Sequence, residues 1–155
     1  MEMKDLFSKY KKVLIALVVL GVVGAGVGLY LSFGPPDLYA KSGTPDFCAS
    51  CHVMETEYEN WFHQGGHRRL KCTDCHLPND NAVNYATWKG IDGMWDVFVF
   101  YSGRVPDRIE ISAHGAAIVQ ENCRRCHAET IFMINENRNC WTCHRRLSHR
   151  VSGGI

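Results

Sequence analysis

The eight cysteines of this 155-residue chain form four copies of one pattern, C-x-x-C-H. The copies are Cys48, Cys51 and His52; Cys72, Cys75 and His76; Cys123, Cys126 and His127; and Cys140, Cys143 and His144. Two thiols three positions apart can each add to a vinyl group of one porphyrin, and the adjacent imidazole then lies over the iron. This is the signature of c-type haem attachment. Paired cysteines also make four-cysteine zinc sites, or disulfides in an oxidising compartment. Neither needs a histidine after every second cysteine. With eight histidines in 155 residues, four such placements by accident have odds on the order of one in a hundred thousand. The expectation is four covalently attached haem c groups.

Attachment supplies one axial ligand per iron, so the second must come from elsewhere. Four histidines lie outside the motifs: His63, His67, His114 and His149. His63 and His67 are four apart, on one helical face, and do not suit two different irons. His67 follows Gly65 and Gly66, which permit close approach to a flat ring, and is the better distal candidate. His149 comes five residues after His144 and is expected to cross to another motif's haem. His114 is a further candidate distal ligand. Met54, two residues past His52, offers a thioether that would raise the reduction potential relative to imidazole, or a side chain that packs on the porphyrin. Spacing leaves His52 and Met54 both open as the first proximal ligand.

The elements that must carry these groups are of two kinds. Residues 13–33 form an uncharged, almost wholly apolar run of 21 residues. As a helix it would reach about 31 Å, enough to cross a bilayer's hydrocarbon core. Lys4, Lys9, Lys11 and Lys12 precede it, so the positive-inside rule predicts a cytoplasmic N-terminus. Tyr30 and Phe33 suit the outer interface, and Pro35 and Pro36 stop the helix. A cleaved signal peptide is the competing reading, but the run exceeds a signal's usual core of about 7–15 residues and Leu38-Tyr39-Ala40 is a poor cleavage site. Gly24 and Gly28 can bring two such helices close, although glycine is common in membrane helices. The expected layout is a cytoplasmic segment 1–12, a transmembrane anchor 13–33, and a periplasmic haem domain 34–155, at a bacterial cytoplasmic membrane.

Removing the first 33 of 155 residues leaves 122 to hold all eight cysteines. That is a thin supply for an ordinary core. About 30 residues per macrocycle predicts a small, haem-filled domain, mainly α with long loops, in which close-packed porphyrins replace much of the oily interior. The charge balance, 17 Lys and Arg against 16 Asp and Glu, excludes a nucleic-acid binder working by counterion release.

An N-terminal anchor, four C-x-x-C-H motifs and C-x-x-C-H-x-M as the first of them resemble the NapC/NrfH family of membrane-anchored cytochrome c quinol dehydrogenases. Chain length favours its short branch, the small subunit of cytochrome c nitrite reductase. The resemblance implies that Met54, rather than His52, ligates the first iron. It implies that His67 serves the third haem with His127, and His149 the second haem with His76. The fourth haem, on His144, would face a partner, its sixth ligand being His114 or a side chain of the catalytic subunit.

The longest stretch between motifs, after His76 and before Cys123, must hold whatever chemistry is not haem attachment. Residues 81–103 read as an amphipathic helix rich in Trp88, Trp95, Phe98 and Phe100, suited to a bilayer surface. Lys89 and Asp96 are seven apart, on one face, with Asp92 between them. Quinol oxidation needs a donor for one oxygen and a base for protons, and family members carry a lysine and an aspartate at this spacing beside the first haem. Lys89 and Asp96 match them. A plain Lys89–Asp92 salt bridge on a solvated face is the competing reading. Gly90 and Gly93 either weaken the helix or let a flat substrate approach. Arg124, Arg125, Arg145 and Arg146 suit haem propionates or an acidic partner, and residues 55–59 an exposed acidic face. The resulting expectation is a quinol dehydrogenase, menaquinol being the expected substrate, in contact with lipid and the quinol pool. It would feed a catalytic multihaem reductase subunit, nitrite reductase first among them. The alternatives are a tethered shuttle without its own quinol site, a donor to another periplasmic reductase, or a structural anchor.

Overall fold

A computed structural model describes residues 3–63, 65–134 and 138–149. Among the described residues all regular structure is helical, and the chain divides into two compact units, Met1–Ser42 and Gly43–Ile155.

The first unit is dominated by helix α1, Met3–Phe33. Its part Tyr10–Phe33 is long and apolar enough to cross a membrane, about 36 Å at 1.5 Å per residue. Leu14, Leu17, Leu20, Val22 and Leu29 are all exposed, so the helix is apolar all round. The helix ends where the Gly34 N–H donates to the Tyr30 carbonyl at 2.7 Å. A Cβ at Gly34 would collide with that carbonyl, and Pro35 and Pro36 cannot continue the ladder. Asp37 turns the chain with φ 44° and caps α2, Leu38–Lys41, by accepting the Ala40 N–H at 3.1 Å.

The second unit is built from short helices between the motifs. These are α3 (Pro45–Ala49), α4 (Glu55–Phe62) and α5 (Cys72–His76), then two long helices, α6 (Ala82–Tyr101) and α7 (Ala113–Ile131), and last α8 (Cys140–Cys143). Short 3-10 turns cover His52–Met54, Gly65–Arg69 and Arg145–Ser148. Capping explains the starts: Thr44, Asn81 and Ser112 each accept a backbone N–H from the first turn of α3, α6 and α7. Helix α6 runs straight through Gly90 and Gly93 and stops at Ser102, before Gly103 at φ 67°. Helices α5 and α7 pack together around Leu77 and Ile118, the buried apolar side chains of the described residues, with Thr73 and Asn122 as buried polar companions.

Candidate haem sites and the helix beside the first motif

The four motifs lie side by side in chain order. The Cys48 thiol of the first is within hydrogen-bond reach of Cys72 of the second. Cys75 feels the charge of Cys126 of the third, and Cys123 is within hydrogen-bond reach of Cys140 of the fourth. All eight cysteines are free of disulfides. Among the described residues no group of three or more His, Cys, Asp or Glu is placed to hold a metal ion by itself.

The motifs differ in backbone. In the second, Cys72, Cys75 and His76 share one helical turn. The third lies within α7, which bends at His127 (φ −111°, ψ 17°). In the fourth the helix stops at Cys143 and His144 leaves it with ψ 61°. In the first it stops earlier still: Cys51 is extended (φ −89°, ψ 120°), and His52 opens a separate turn that ends in Met54.

Two motif histidines face a second imidazole. The His67 and His127 ring centroids are 6.1 Å apart. Those of His76 and His149 are also 6.1 Å apart, with planes 21° from parallel. An iron between two imidazoles needs a metal–nitrogen bond of about 2 Å on each side and about 1 Å more to each centroid, about 6 Å in all. Both rings of the second pair are shifted toward the neutral form that metal ligation requires. Desolvation, then the charge of His149, pushes His76 down to about 4, and desolvation lowers His149 as well. His149 Nδ1 is buried without a hydrogen-bond partner. Paired thiols, the following histidine and facing imidazoles at this spacing fit haem.

The outer motifs are arranged differently. His52 is exposed and meets Phe100 edge-on, 5.7 Å between centroids, while Met54 is half-buried. His144 is exposed and, with His67, Cys143, Arg145, Arg146 and Leu147, lines an open groove of about 420 Å3. The His114 ring lies against Trp88, 3.9 Å between centroids with the planes tilted by 36°. His63 lies exposed, its Nε2 3.7 Å from Glu59. Arg124 pairs with Glu121 at 3.0 Å and Arg125 donates to Asn122 and to the Asp74 carbonyl.

Helix α6 has two faces. At about 100° per residue, Lys89, Gly93, Asp96 and Phe100 fall on one stripe. This stripe faces the first motif: Phe100 touches His52, and Cys48 feels the opposed charges of Asp96 and Lys89. Lys89 Nζ also lies 5.8 Å from the Tyr85 ring centroid. Asp96 is exposed as a residue, but partial desolvation of its carboxyl and the nearby Asp92 charge raise its pKa above the ordinary carboxylate value. A Cβ built on Gly93 meets nothing within 4 Å, which leaves a gap between Lys89 and Asp96. The opposite stripe, Ile91, Met94, Trp95, Phe98 and Tyr101, is apolar and exposed.

Three amides that sequence reasoning missed tie the motifs together. Buried Asn122 donates to the Cys75 carbonyl at 2.9 Å and to the Leu77 carbonyl at 2.8 Å. Gln120 accepts the Cys140 N–H at 3.0 Å and donates to the Arg138 carbonyl at 3.3 Å. Asn60 donates to the His149 carbonyl at 2.7 Å. The first two lie just ahead of the third motif on α7, and that position was their one visible signal.

Comparison with known proteins identifies the family. The sequence profile of the NapC/NirT cytochrome c family, N-terminal region, matches residues 9–153. The cytochrome c-type protein NrfH of Wolinella succinogenes is 32% identical over 157 residues, covering 92% of this chain and 89% of that protein. The cytochrome c-type protein TorY of Haemophilus influenzae is 28% identical over 173 residues, covering 92% of this chain but 45% of TorY, so the chain spans less than half of that relative. Among solved structures, a chain of the cytochrome c nitrite reductase NrfHA complex bound to the HQNO inhibitor matches with a TM-score of 0.66. It is 27% identical, over 92% of this chain and 94% of that one.

Proposed function

From the premise that this chain belongs to the NapC/NirT cytochrome c family of multihaem electron-transport proteins, we propose that it is a bacterial membrane-bound quinol dehydrogenase. Menaquinol is the expected substrate, and electrons pass through four c-type haems to a periplasmic reductase, cytochrome c nitrite reductase. Residues 1–12 are then cytoplasmic, 13–33 span the membrane and 34–155 lie in the periplasm.

The observation that carries the reading is the stripe of α6 that faces the first motif. Haem, when bound, supplies one-electron redox chemistry. The chain must supply the rest. A quinol releases two electrons and two protons, so its oxygens need a donor and a base. Lys89 donates to one oxygen, and its charge favours the developing anion. Asp96, its pKa raised by desolvation and by Asp92, accepts a proton nearer neutral pH than an ordinary carboxylate would. The gap at Gly93 admits a flat ring between them. The exposed apolar stripe on the far side of α6 suits a helix resting on the bilayer surface, where quinol is dissolved.

Eight cysteines hold the four haems. Extended Cys51 carries His52 out of its helix and against Phe100, which favours Met54 as the first axial ligand. The ring spacing supports His76 with His149 and His127 with His67. His114 is engaged by Trp88, which favours a side chain of the reductase as the sixth ligand at His144. The NrfH relative of matching length and the NrfHA complex support nitrite reductase as that partner.

The test uses the full chain in detergent. Reduction of its haems by a quinol analogue, together with co-purification of a multihaem reductase subunit, is the expected result. Haems that are reduced only by another protein would leave a tethered shuttle.

A further inference from the structure

The ring pair His76 and His149 poses a positioning problem. A histidine that ligates a metal ordinarily has its other ring nitrogen fixed by a hydrogen bond, and that bond sets the orientation of the ring. His149 has none: its Nδ1 is buried without a partner. Its backbone is in the left-handed region, φ 52° and ψ 15°, a conformation uncommon outside glycine that histidine adopts more readily than most residues. What the structure does hold at this residue is the main chain, through the His149 carbonyl.

We propose that Asn60 is the positioning residue that does this, its side-chain amide holding the carbonyl of His149 so that the ring stays against His76. The donor–acceptor distance is 2.7 Å, between residues 89 apart in sequence. Asn60 sits on α4, five positions ahead of Gly65, where the 3-10 turn that carries His67 begins. One short helix thus precedes one distal imidazole in the chain and clamps the other in space. The inference rests on the reading that His76 and His149 share the second haem, and deepens it.

Carbon monoxide binding to the reduced, full-length, detergent-solubilised holoprotein tests both levels, because CO enters a six-coordinate haem only after the distal ligand leaves. His149→Ala opens that haem and adds a fast CO phase with the amplitude of one haem. Asn60→Ala keeps four haems and speeds the slow phase of that same haem about five- to tenfold, the worth of one hydrogen bond. Asn60→Asp keeps the shape but cannot donate, and gives the same acceleration without a loss of volume. If His149→Ala gains the fast phase while both Asn60 variants bind CO at the wild-type rate, the role of Asn60 is overturned and His149 stands as ligand. If His149→Ala gains no phase, the ligand assignment fails and the inference with it.

Discussion

The second and third motifs differ from the first and fourth in what their histidines meet. His76 and His127 each face another imidazole at 6.1 Å, and the chain around them is helical through or nearly through the histidine. His52 and His144 leave their helices early; His52 meets Phe100 in place of a facing imidazole, and His144 lines an open groove. With haem bound, a facing imidazole pair would close the coordination of the iron and make it inert toward ligands, which would suit a relay. An open position suits a site where substrate or partner must come close. On the proposed ligation, the facing pairs would stand in the middle of the chain of motifs and the open positions at its two ends.

The largest expected effect breaks this comparison at the open end. Asp96→Asn should lower quinol-driven haem reduction on the order of 10²- to 10⁴-fold, the usual worth of a general base, with four haems retained and the inner haems spectrally unchanged. The pH dependence follows from the direction of the shift. The base works deprotonated, and its pKa is raised, so the rate should fall as pH drops through a value above that of an ordinary carboxylate. This acid limb should disappear in Asp96→Asn. A wild-type rate in that variant would remove the distinction between the first motif and the inner ones.

Lys89→Ala should come next. Loss of a charged hydrogen bond to a quinol oxygen predicts about a tenfold to hundredfold drop in kcat/KM. The loss should fall mainly on KM if Lys89 holds the bound quinol, and on kcat if it acts on the developing anion.

How much of this could be read in advance depended on the range of the interaction. The C-x-x-C-H motifs were legible because attachment to one porphyrin demands a local spacing. The limits of α6 were nearly legible, since Asn81 caps one end and Gly103 turns the other, and the seven-residue spacing of Lys89 and Asp96 placed them on one face. The partners of His67 and His149 were not legible from spacing and came only from family resemblance. The amides were not legible at all. Asn122 reaches Cys75 across 47 residues and Asn60 reaches His149 across 89, and bonds of that range leave no periodic trace. A buried asparagine beside a motif looks like any polar residue until the fold closes on it.

Asn122→Ala probes the ordered middle. It removes two donations from a buried side chain and strands the Cys75 carbonyl, which should cost about 1–3 kcal/mol, read as a lower denaturant midpoint. The change should perturb the haem on His76 and spare the quinol-driven rate per intact haem. An equal effect on the first haem would mean that the middle and the ends are not separable.

The smallest effect is the most diagnostic, because stability and activity should move in opposite directions. Gly93 sits inside α6 with helical backbone and open space where a side chain would stand. Nothing in the fold requires glycine there, and glycine in a helix interior costs about 0.5–1 kcal/mol relative to alanine. Gly93→Ala should therefore raise stability by about that amount, a gain that partly reflects a less flexible unfolded chain. If the gap serves a flat substrate held between Lys89 and Asp96, the added methyl group should raise KM for quinol several-fold in the same variant, and Gly93→Leu should raise it further. A variant that is both more stable and fully active would mean that the gap is incidental to the site. A more stable but slower one would mean that the open end of the molecule gives up helix stability to admit its substrate, a trade recurrent at functional sites.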